Sequence, residues 1–501
     1  MNAQPEDRSG FAIRDIAFLV ALTGAALLIH GYHPGAEDAE IYLPQIRKIL
    51  NPALYPFGSE FFESHAHLTV FPHMVATLVR TSHLPLGAVL FICHIASIFL
   101  LLWASKAIAA KCFPSQAGRW AAVAMVASLL TLPVTGTDLY LLDQYFNPRS
   151  VSTFAILFAV DAVLERRYPR AALWLVFTGL VHPLMAVLGI VYIVLLVSMN
   201  EIGSLKAEVA ASARTSVAGR APPALFTRHP SPAFTQTLHD HPYYFLLEWH
   251  WYEWLGVVAP LALLAWFSRI AESRGRPVLK RLALSLVWLG ALSVASALVP
   301  TIFPRFEFLA ISQPMRSFQL IYLLLALLGG GLIAETWLAS RPARWLALFL
   351  PLALGMAYAQ VRLFPSDLHI EWPGAQARNP WVQAFLWARA HTPVDAIFAL
   401  DSGYMAVPGE DFQGFRAIAA RSRLADATKD WSASAMFPGL PLADECLEQV
   451  RAARGFTGFR PSDFERLKDR YDVTWIVIEQ PGASGLACPY QNGAVRVCRV
   501  N

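Results

Sequence analysis

Three carboxylates lie within four positions directly after the first apolar segment of the chain. They are Glu37, Asp38 and Glu40 in the stretch GYHPGAEDAEIY at 31–42. Adjacent carboxylates at the end of a rigid helix can bind a divalent cation such as Mg²⁺ or Mn²⁺, or take a proton from an attacking hydroxyl group. The pattern predicts a catalytic or metal-binding pair at Glu37 and Asp38, with Glu40 in support. The alternative is a solvated loop without chemistry.

The elements that must position these acids are membrane helices. Of 501 residues, 55% are hydrophobic and 15% are charged, whereas soluble proteins carry about 25% charged residues. A helix that crosses a bilayer needs about 20 apolar residues. Apolar runs near this length lie at 11–30, 85–105, 120–135, 149–164, 171–197, 246–268, 282–300, 318–338 and 345–362. The sequence predicts a mostly α-helical polytopic bundle of about nine spans.

Two segments leave the number of spans open. Residues 66–80 are predicted to form an interfacial helix, and the alternative is a short span that would change the parity of the loops. Pro183 lacks a backbone N–H and is predicted to break the run 171–197. A cleaved signal peptide is the rival interpretation of the first run, but no small-residue cleavage site follows it.

Basic residues are concentrated in alternate loops, which indicates the orientation of the bundle. Cytoplasmic loops carry an excess of Lys and Arg. If the N-terminus lies inside, the N-terminal segment carries Arg8 and Arg14, and every short inner loop is rich in Lys and Arg. The first long loop (31–84), the loop 136–148 and the tail after 362 then face outward. The loop 198–245, predicted to face outward, carries basic residues as well and is the exception.

After residue 362 the hydropathy falls and the sequence shows the helix and strand patterns of a soluble α/β domain. We therefore divide the chain into a membrane domain (1–362) and a C-terminal domain (363–501). Helices are predicted at 379–391, 443–454 and 461–470, and strands at 395–400 and 472–479. Asn492-Gly493 predicts a hairpin turn. Cys488 and Cys498 flank this turn, and we expect a disulfide, as an oxidising outer compartment would allow. Two free thiols are the alternative.

Taken together, these features resemble the GT-C superfamily of integral-membrane glycosyltransferases. Its members carry paired acids in a long first outer loop, many helices and an outer C-terminal domain, and they use a sugar linked to a polyprenyl phosphate. Glu37-Asp38 matches the paired acids, GTDLYLLDQYFNPRSVS at 136–152 resembles the second acidic loop, and GLVHPLMAV at 179–187 resembles a His-Pro element. The WWDYG-like signature of oligosaccharyltransferases is missing, which argues against peptide N-glycosylation.

The resemblance implies a role for each further polar residue. Asp38 or Glu37 would deprotonate the acceptor hydroxyl, or hold a divalent metal, and the acids of the second loop would support them. Positive charge would stabilise the leaving phosphate. The supporting acids are Asp138 and Asp143, and the candidate cations are Arg149, Arg305 and Arg316. Snorkelling to lipid headgroups is the alternative for these arginines.

Three further ionisable residues lie near predicted spans, where uncompensated charge is costly. His182 precedes the helix-breaking Pro183, and Glu248 and His250 lie in HDHPYYFLLEWHWYEWLG at 239–256. We expect all three to line a polar cavity, although helix packing is an alternative for His182. The histidines of FFESHAHLTVFPH at 61–73 match no defined zinc spacing.

The sequence thus predicts a glycosyltransferase of a bacterial inner membrane that uses a polyprenyl-phosphate sugar donor and an envelope lipid, glycan or protein acceptor. No Lys/Arg block indicates nucleic acid, and no phosphate-binding glycine loop or nucleophile elbow is found. A transporter or flippase is the main alternative, although no internal repeat is visible. A non-catalytic assembly protein for envelope polysaccharide is a third.

Overall fold

Helices dominate the computed structural model, which describes residues 13–205, 231–437, 440–482 and 485–500. Arg8, and residues 206–230 of the loop 198–245, lie outside these ranges. The α-helices are α1 (Ile13–His30), α2 (Ala39–Leu50), α3 (Glu60–Ala66), α4 (Phe71–Ser82), α5 (Leu86–Cys112), α6 (Gln116–Ser128), α7 (Pro148–Leu164), α8 (Tyr168–Val181), α9 (Pro183–Leu205), α10 (Pro232–His239), α11 (Trp251–Ser273), α12 (Pro277–Ile302), α13 (Phe318–Ile333), α14 (Pro342–Leu363), α15 (Pro380–His391), α16 (Phe415–Ala419), α17 (Lys429–Ser434), α18 (Leu442–Ala452) and α19 (Pro461–Tyr471).

Six helical segments among the described residues are long and apolar enough to cross a membrane. They are α1, α5, α11, α12, the segment Pro304–Leu338 that contains α13, and α14. In the bundle, α13 packs against α6, α7 against α8, and α11 against α12. The chain is a multi-pass membrane protein, and the predicted helical bundle is confirmed.

Three of the nine predicted runs do not form one uninterrupted helix of 18 residues or more in the described part of the chain. The runs 120–135 and 149–164 correspond to α6 and α7, of 13 and 17 residues. The run 171–197 is divided at His182 into α8 and α9, as the missing N–H of Pro183 predicts. Helix α7 is buried along almost its whole length. Its apolar sequence therefore reflects contact with neighbouring helices, which hydropathy cannot distinguish from contact with lipid.

The first long loop consists largely of the short helices α2, α3 and α4, and α2 packs against both of the others. Helix α4 has 12 residues, fewer than a span requires, so the segment 66–80 does not form the short span considered as an alternative. Helix α2 is buried from Ala39 to Ile46. It packs against α4 on one side and against α16 of the C-terminal domain on another.

The C-terminal domain contains a mixed five-stranded sheet, which confirms the predicted small α/β unit. A separate two-stranded ribbon lies in the loop between α6 and α7. The strands are β1 (Pro133–Val134), β2 (Leu139–Tyr140), β3 (Ile397–Ala399), β4 (Ser422–Arg423), β5 (Trp475–Glu479), β6 (Ala487–Gln491) and β7 (Val495–Arg499). The sheet order is β4-β3-β5-β7-β6, parallel for β4-β3-β5 and antiparallel for β5-β7-β6. The strands β6 and β7 form the predicted hairpin, and a disulfide joins Cys488 to Cys498.

Candidate functional site

Asp38 lies at the N-terminus of α2, at the point where the chain leaves a tight turn. Glu37 before it has a left-handed backbone, with φ 55°, which is uncommon for a residue with a side chain. The Glu37 N–H donates to the carbonyl of Phe412 at 2.9 Å, and the Asp38 N–H donates to the Tyr145 hydroxyl at 3.2 Å. An N-cap Asp usually accepts from its own helix, but the Asp38 side chain does not. Its carboxylate is therefore available to other groups.

Lys429, at the start of α17, lies between the two acids of the predicted pair. Its ammonium is 3.1 Å from Asp38 Oδ1 and also forms an ion pair with Glu37. The Lys429 side chain is 10% exposed, and its pKa is raised well above the usual value, because the attraction of Asp38 and Glu37 outweighs burial. The prediction from sequence omitted this residue, because a lone lysine in DATKDWS carries no spacing signal.

Arg149 approaches Asp38 from the opposite side and is itself held by Asp143. The distance from Arg149 Nη2 is 3.4 Å to Asp38 Oδ2 and 2.8 Å to Asp143 Oδ2. The same Asp143 oxygen accepts from the Asn147 side-chain amide at 2.6 Å. Asn147 is the N-cap of α7 and Arg149 lies in the first turn of that helix. Asp143 therefore fixes the guanidinium of Arg149, as a supporting acid would.

Asp38 and Glu37 differ in how readily they hold a proton. Burial raises the pKa of both carboxyl groups, because the charged form loses water. At Asp38, the charges of Lys429 and Arg149 outweigh burial and hold the pKa below its usual range. At Glu37, burial and the nearby Asp138 outweigh Lys429, and the pKa is raised. Of the two acids, Asp38 is therefore the one whose charged form is favoured by its surroundings.

A cavity of about 110 Å³ opens beside Asp38 and collects the predicted residues from several distant segments. Its charged and ionisable lining comes from the first loop, α7, the break between α8 and α9, and the turn before α13. These residues are Asp38, His65, Arg149, His182 and Arg316. The side chains of Tyr42 and His65 contact each other here, with 3.1 Å between the hydroxyl and Nε2.

Arg316 is the cation of this cavity that has no acid of its own. Among the described residues, no carboxylate lies within ion-pair distance of its guanidinium, and its buried Nε has no hydrogen-bond partner. Arg149, by contrast, is paired with both Asp143 and Asp38. Arg316 is half-buried, and a bound anion would give its inaccessible Nε a charged hydrogen-bond acceptor.

The structure places the other predicted residues away from the cavity. Asp138 is exposed on the ribbon loop, and Arg305 stacks over the Phe306 ring at 4.7 Å. Glu248 is paired with His239 on the surface. The backbone N–H of His250 donates to the Glu253 side chain at 2.7 Å, within a capping box that begins α11.

Glu40 was predicted to support the acidic pair. In the structure it is instead fully buried between the first loop and the C-terminal domain. Its carboxylate lies 2.8 Å from the Arg423 guanidinium and accepts from the backbone N–H groups of Arg416 and Ala417, at 3.1 and 2.9 Å. Glu40 therefore links α2 to the C-terminal domain through buried contacts, and it does not line the cavity.

The donor set that best suits a metal ion among the described residues lies outside this cavity. His33, Asp367 and Glu371 each offer a ligand atom, and these atoms lie within 4.8 Å of one another. Burial, with the charge of nearby acids, raises the pKa of Asp367 and of Glu371 to about 8. Both acids also line a larger cavity of about 200 Å³ on another side of α2. At Glu37 and Asp38, where the sequence predicts a metal, the ammonium of Lys429 contacts both carboxylates.

Comparisons with known proteins give only a limited likeness. No family model and no curated protein sequence matches this chain. Among solved structures, the crystal structure of the Archaeoglobus fulgidus oligosaccharyltransferase, tethered to an acceptor peptide containing the NVT sequon, is similar with a TM-score of 0.37 and 13% identity. The match covers 93% of this chain and 69% of that chain. A TM-score this low carries no functional conclusion, so function must be inferred from the residues of the cavity.

Proposed function

We propose that the chain is a membrane glycosyltransferase that moves a sugar from a polyprenyl-phosphate carrier to a hydroxyl group of an envelope lipid, glycan or protein. One observation carries the proposal. A single cavity is lined by an ionised carboxylate, Asp38, a guanidinium held in place, Arg149, and a guanidinium without an acidic partner, Arg316. This set provides a proton acceptor and an anion site within one cavity.

The reaction uses these groups in a direct displacement. The acceptor oxygen attacks the anomeric carbon of the sugar while Asp38 accepts the hydroxyl proton, and a positioned base of this kind contributes roughly 10²–10⁴-fold. The bond between the anomeric carbon and the phosphate oxygen breaks, and its electron pair remains on the phosphate. Arg149 and Arg316 stabilise that charge. Displacement from one side predicts inversion at the anomeric carbon.

The apolar part of the cavity lining suits the isoprenoid portion of such a carrier. Leu68, Val181 and Leu184 line it beside the break between α8 and α9. Because both helices are apolar, a lipid chain can lie along them while its phosphate lies against the arginines. A soluble nucleotide sugar would gain nothing from these contacts.

The C-terminal domain supplies part of the cavity wall. Ser432, Ala433 and Met436, within or just after α17, line it together with Asp38. This arrangement supports the role expected from sequence, in which the domain closes the site or helps to bind the acceptor. We place the domain in the periplasm and the N-terminus in the cytoplasm of a bacterial inner membrane, because of the basic inner loops.

The test uses the full chain in nanodiscs, with undecaprenyl phosphate as the probe. Undecaprenol has the same lipid chain without the phosphate and is the matched control. We expect native mass spectrometry to detect binding of undecaprenyl phosphate and no binding of undecaprenol. Transfer is then measured as release of undecaprenyl phosphate from synthetic undecaprenyl-phosphate sugars mixed with an envelope fraction. Equal binding of both lipids would contradict the proposal.

The alternative functions predict other outcomes of the same preparation. A transporter or flippase would move substrate or ions across vesicles without consuming a lipid-linked sugar. A non-catalytic assembly protein would bind envelope polysaccharide and leave the donor intact. Release of undecaprenyl phosphate that depends on Asp38 separates the enzyme from both.

A further inference from the structure

Lys429 is held in place by the backbone and side chains of its own segment. The Asp426 side chain accepts from the N–H groups of Thr428 and Lys429, at 2.6 and 2.5 Å. Asp426 and Asp430 also pair with the buried guanidinium of Arg423. The ammonium therefore extends from a fixed helix start and is unlike a mobile surface lysine.

The same network connects Lys429 to the helix that carries the acids. Arg423 is 2.8 Å from Glu40, which lies in the first turn of α2, two residues after Asp38. The acids and the lysine are thus joined twice, once through the ammonium and once through the buried pair. Their spacing is set by the docking of the C-terminal domain on the first loop.

This geometry does not fit the divalent ion that the family resemblance implies at Glu37 and Asp38. An ammonium that contacts both carboxylates occupies the space between them. A divalent cation there would meet the positive charge of Lys429 and, on the other side of Asp38, that of Arg149. Like charges at such distances repel strongly in a partly buried site.

We propose that Lys429 takes the place of a divalent cation at the acidic pair, so that transfer at this site needs no metal and needs the C-terminal domain instead. The inference rests on the proposed function, in which Asp38 receives the proton of the acceptor hydroxyl. Lys429 is a positioning residue that acts through Asp38. Its charge keeps that carboxylate ionised and oriented, and its three N–H groups can satisfy both acids.

The first experiment measures Mn²⁺ binding to the full chain in nanodiscs by electron paramagnetic resonance. It uses a Glu371→Gln background, which removes one ligand from the separate group of His33, Asp367 and Glu371. We expect no Mn²⁺ site that depends on Asp38. Adding Lys429→Met leaves two carboxylates without their cation and should raise Mn²⁺ affinity about tenfold or more. A further Asp38→Asn change should abolish the gain, and Lys429→Arg should show none.

The inference can be tested even if the Lys429→Met variant fails to fold. Mn²⁺ binding that Asp38→Asn abolishes, in protein that still contains Lys429, would overturn the inference. So would loss of transfer in a chelator when the protein stays folded. If Lys429→Met folds, we expect the acidic limb of the pH–rate profile to move to higher pH, which a purely structural role would not cause. Failure of the proposed function would appear separately, as binding of undecaprenyl phosphate no tighter than that of undecaprenol.

Discussion

Glu40 and Arg423 form a buried ion pair, 2.8 Å apart, that joins the first long loop to the C-terminal domain across 383 positions of sequence. Both side chains are essentially inaccessible to solvent. Glu40 stands two residues from Asp38, and Arg423 stands six residues before Lys429. The pair therefore determines how the acids and their lysine face each other.

Glu40→Ala should loosen the C-terminal domain. Removing one partner of a buried ion pair leaves an uncompensated charge and typically costs about 3–5 kcal/mol. We expect a lower unfolding temperature and faster hydrogen exchange in residues 415–434. The control is Glu448→Ala, whose partner Arg470 is exposed and whose loss should cost at most about 1 kcal/mol. Equal effects of the two changes would contradict the role given to Glu40.

Arg316→Met should weaken binding of undecaprenyl phosphate, and Arg305→Met should not. The two residues lie in the same segment, but only Arg316 lines the cavity, whereas Arg305 stacks on Phe306. Loss of a hydrogen bond to a charged group predicts about tenfold to a hundredfold weaker binding. Titration of both variants in nanodiscs measures the difference, and a similar loss in each would indicate headgroup contacts only.

Asp38→Asn should lower the rate of sugar transfer by about 10²–10⁴-fold, because the amide cannot accept the hydroxyl proton. Asp469→Asn is the matched change, since Asp469 is exposed on α19 and does not line the cavity. We expect it to retain most of the activity. The two rates are compared at equal amounts of inserted protein. An Asp38→Asn variant that is folded and fully active would exclude Asp38 as the base.

The acids Asp367 and Glu371 should make stability depend on pH. Burial raises each pKa to about 8, whereas an unfolded carboxyl group has a pKa near about 4. Between these values the folded state binds more protons than the unfolded state, so the free energy of unfolding falls as pH rises from about 4 to 8 and levels off above. Unfolding temperatures in a chelator should show this decline. Glu371→Gln should reduce it.

Labelling of engineered cysteines should establish the orientation. Glu465→Cys lies on the exposed face of α19 in the C-terminal domain, and Glu272→Cys lies at the exposed end of α11. A maleimide that cannot cross membranes should modify the first in intact cells and the second only after permeabilisation. The reverse pattern would place the cavity in the cytoplasm and remove the basis for a periplasmic transferase.

Local patterns predicted much of the fold. The break at His182 follows from Pro183, and the hairpin of β6 and β7 follows from Asn492-Gly493. The apolar sequence of α7 could not distinguish burial by protein from contact with lipid. The sequence also predicted Asp38 and Arg149 as site residues, and the structure places Arg149 Nη2 3.4 Å from Asp38 Oδ2.

What the sequence by itself determined is a helical membrane protein with a C-terminal α/β unit and acids at the end of its first helix, because composition and periodicity are local properties. Only the tertiary structure decided that Arg316 and not Arg305 lines the cavity, that Glu40 pairs with Arg423 away from the cavity, and that Lys429 contacts both acids. These assignments depend on contacts between residues up to 391 positions apart. The packing of two domains creates such contacts, and no spacing within either segment encodes them.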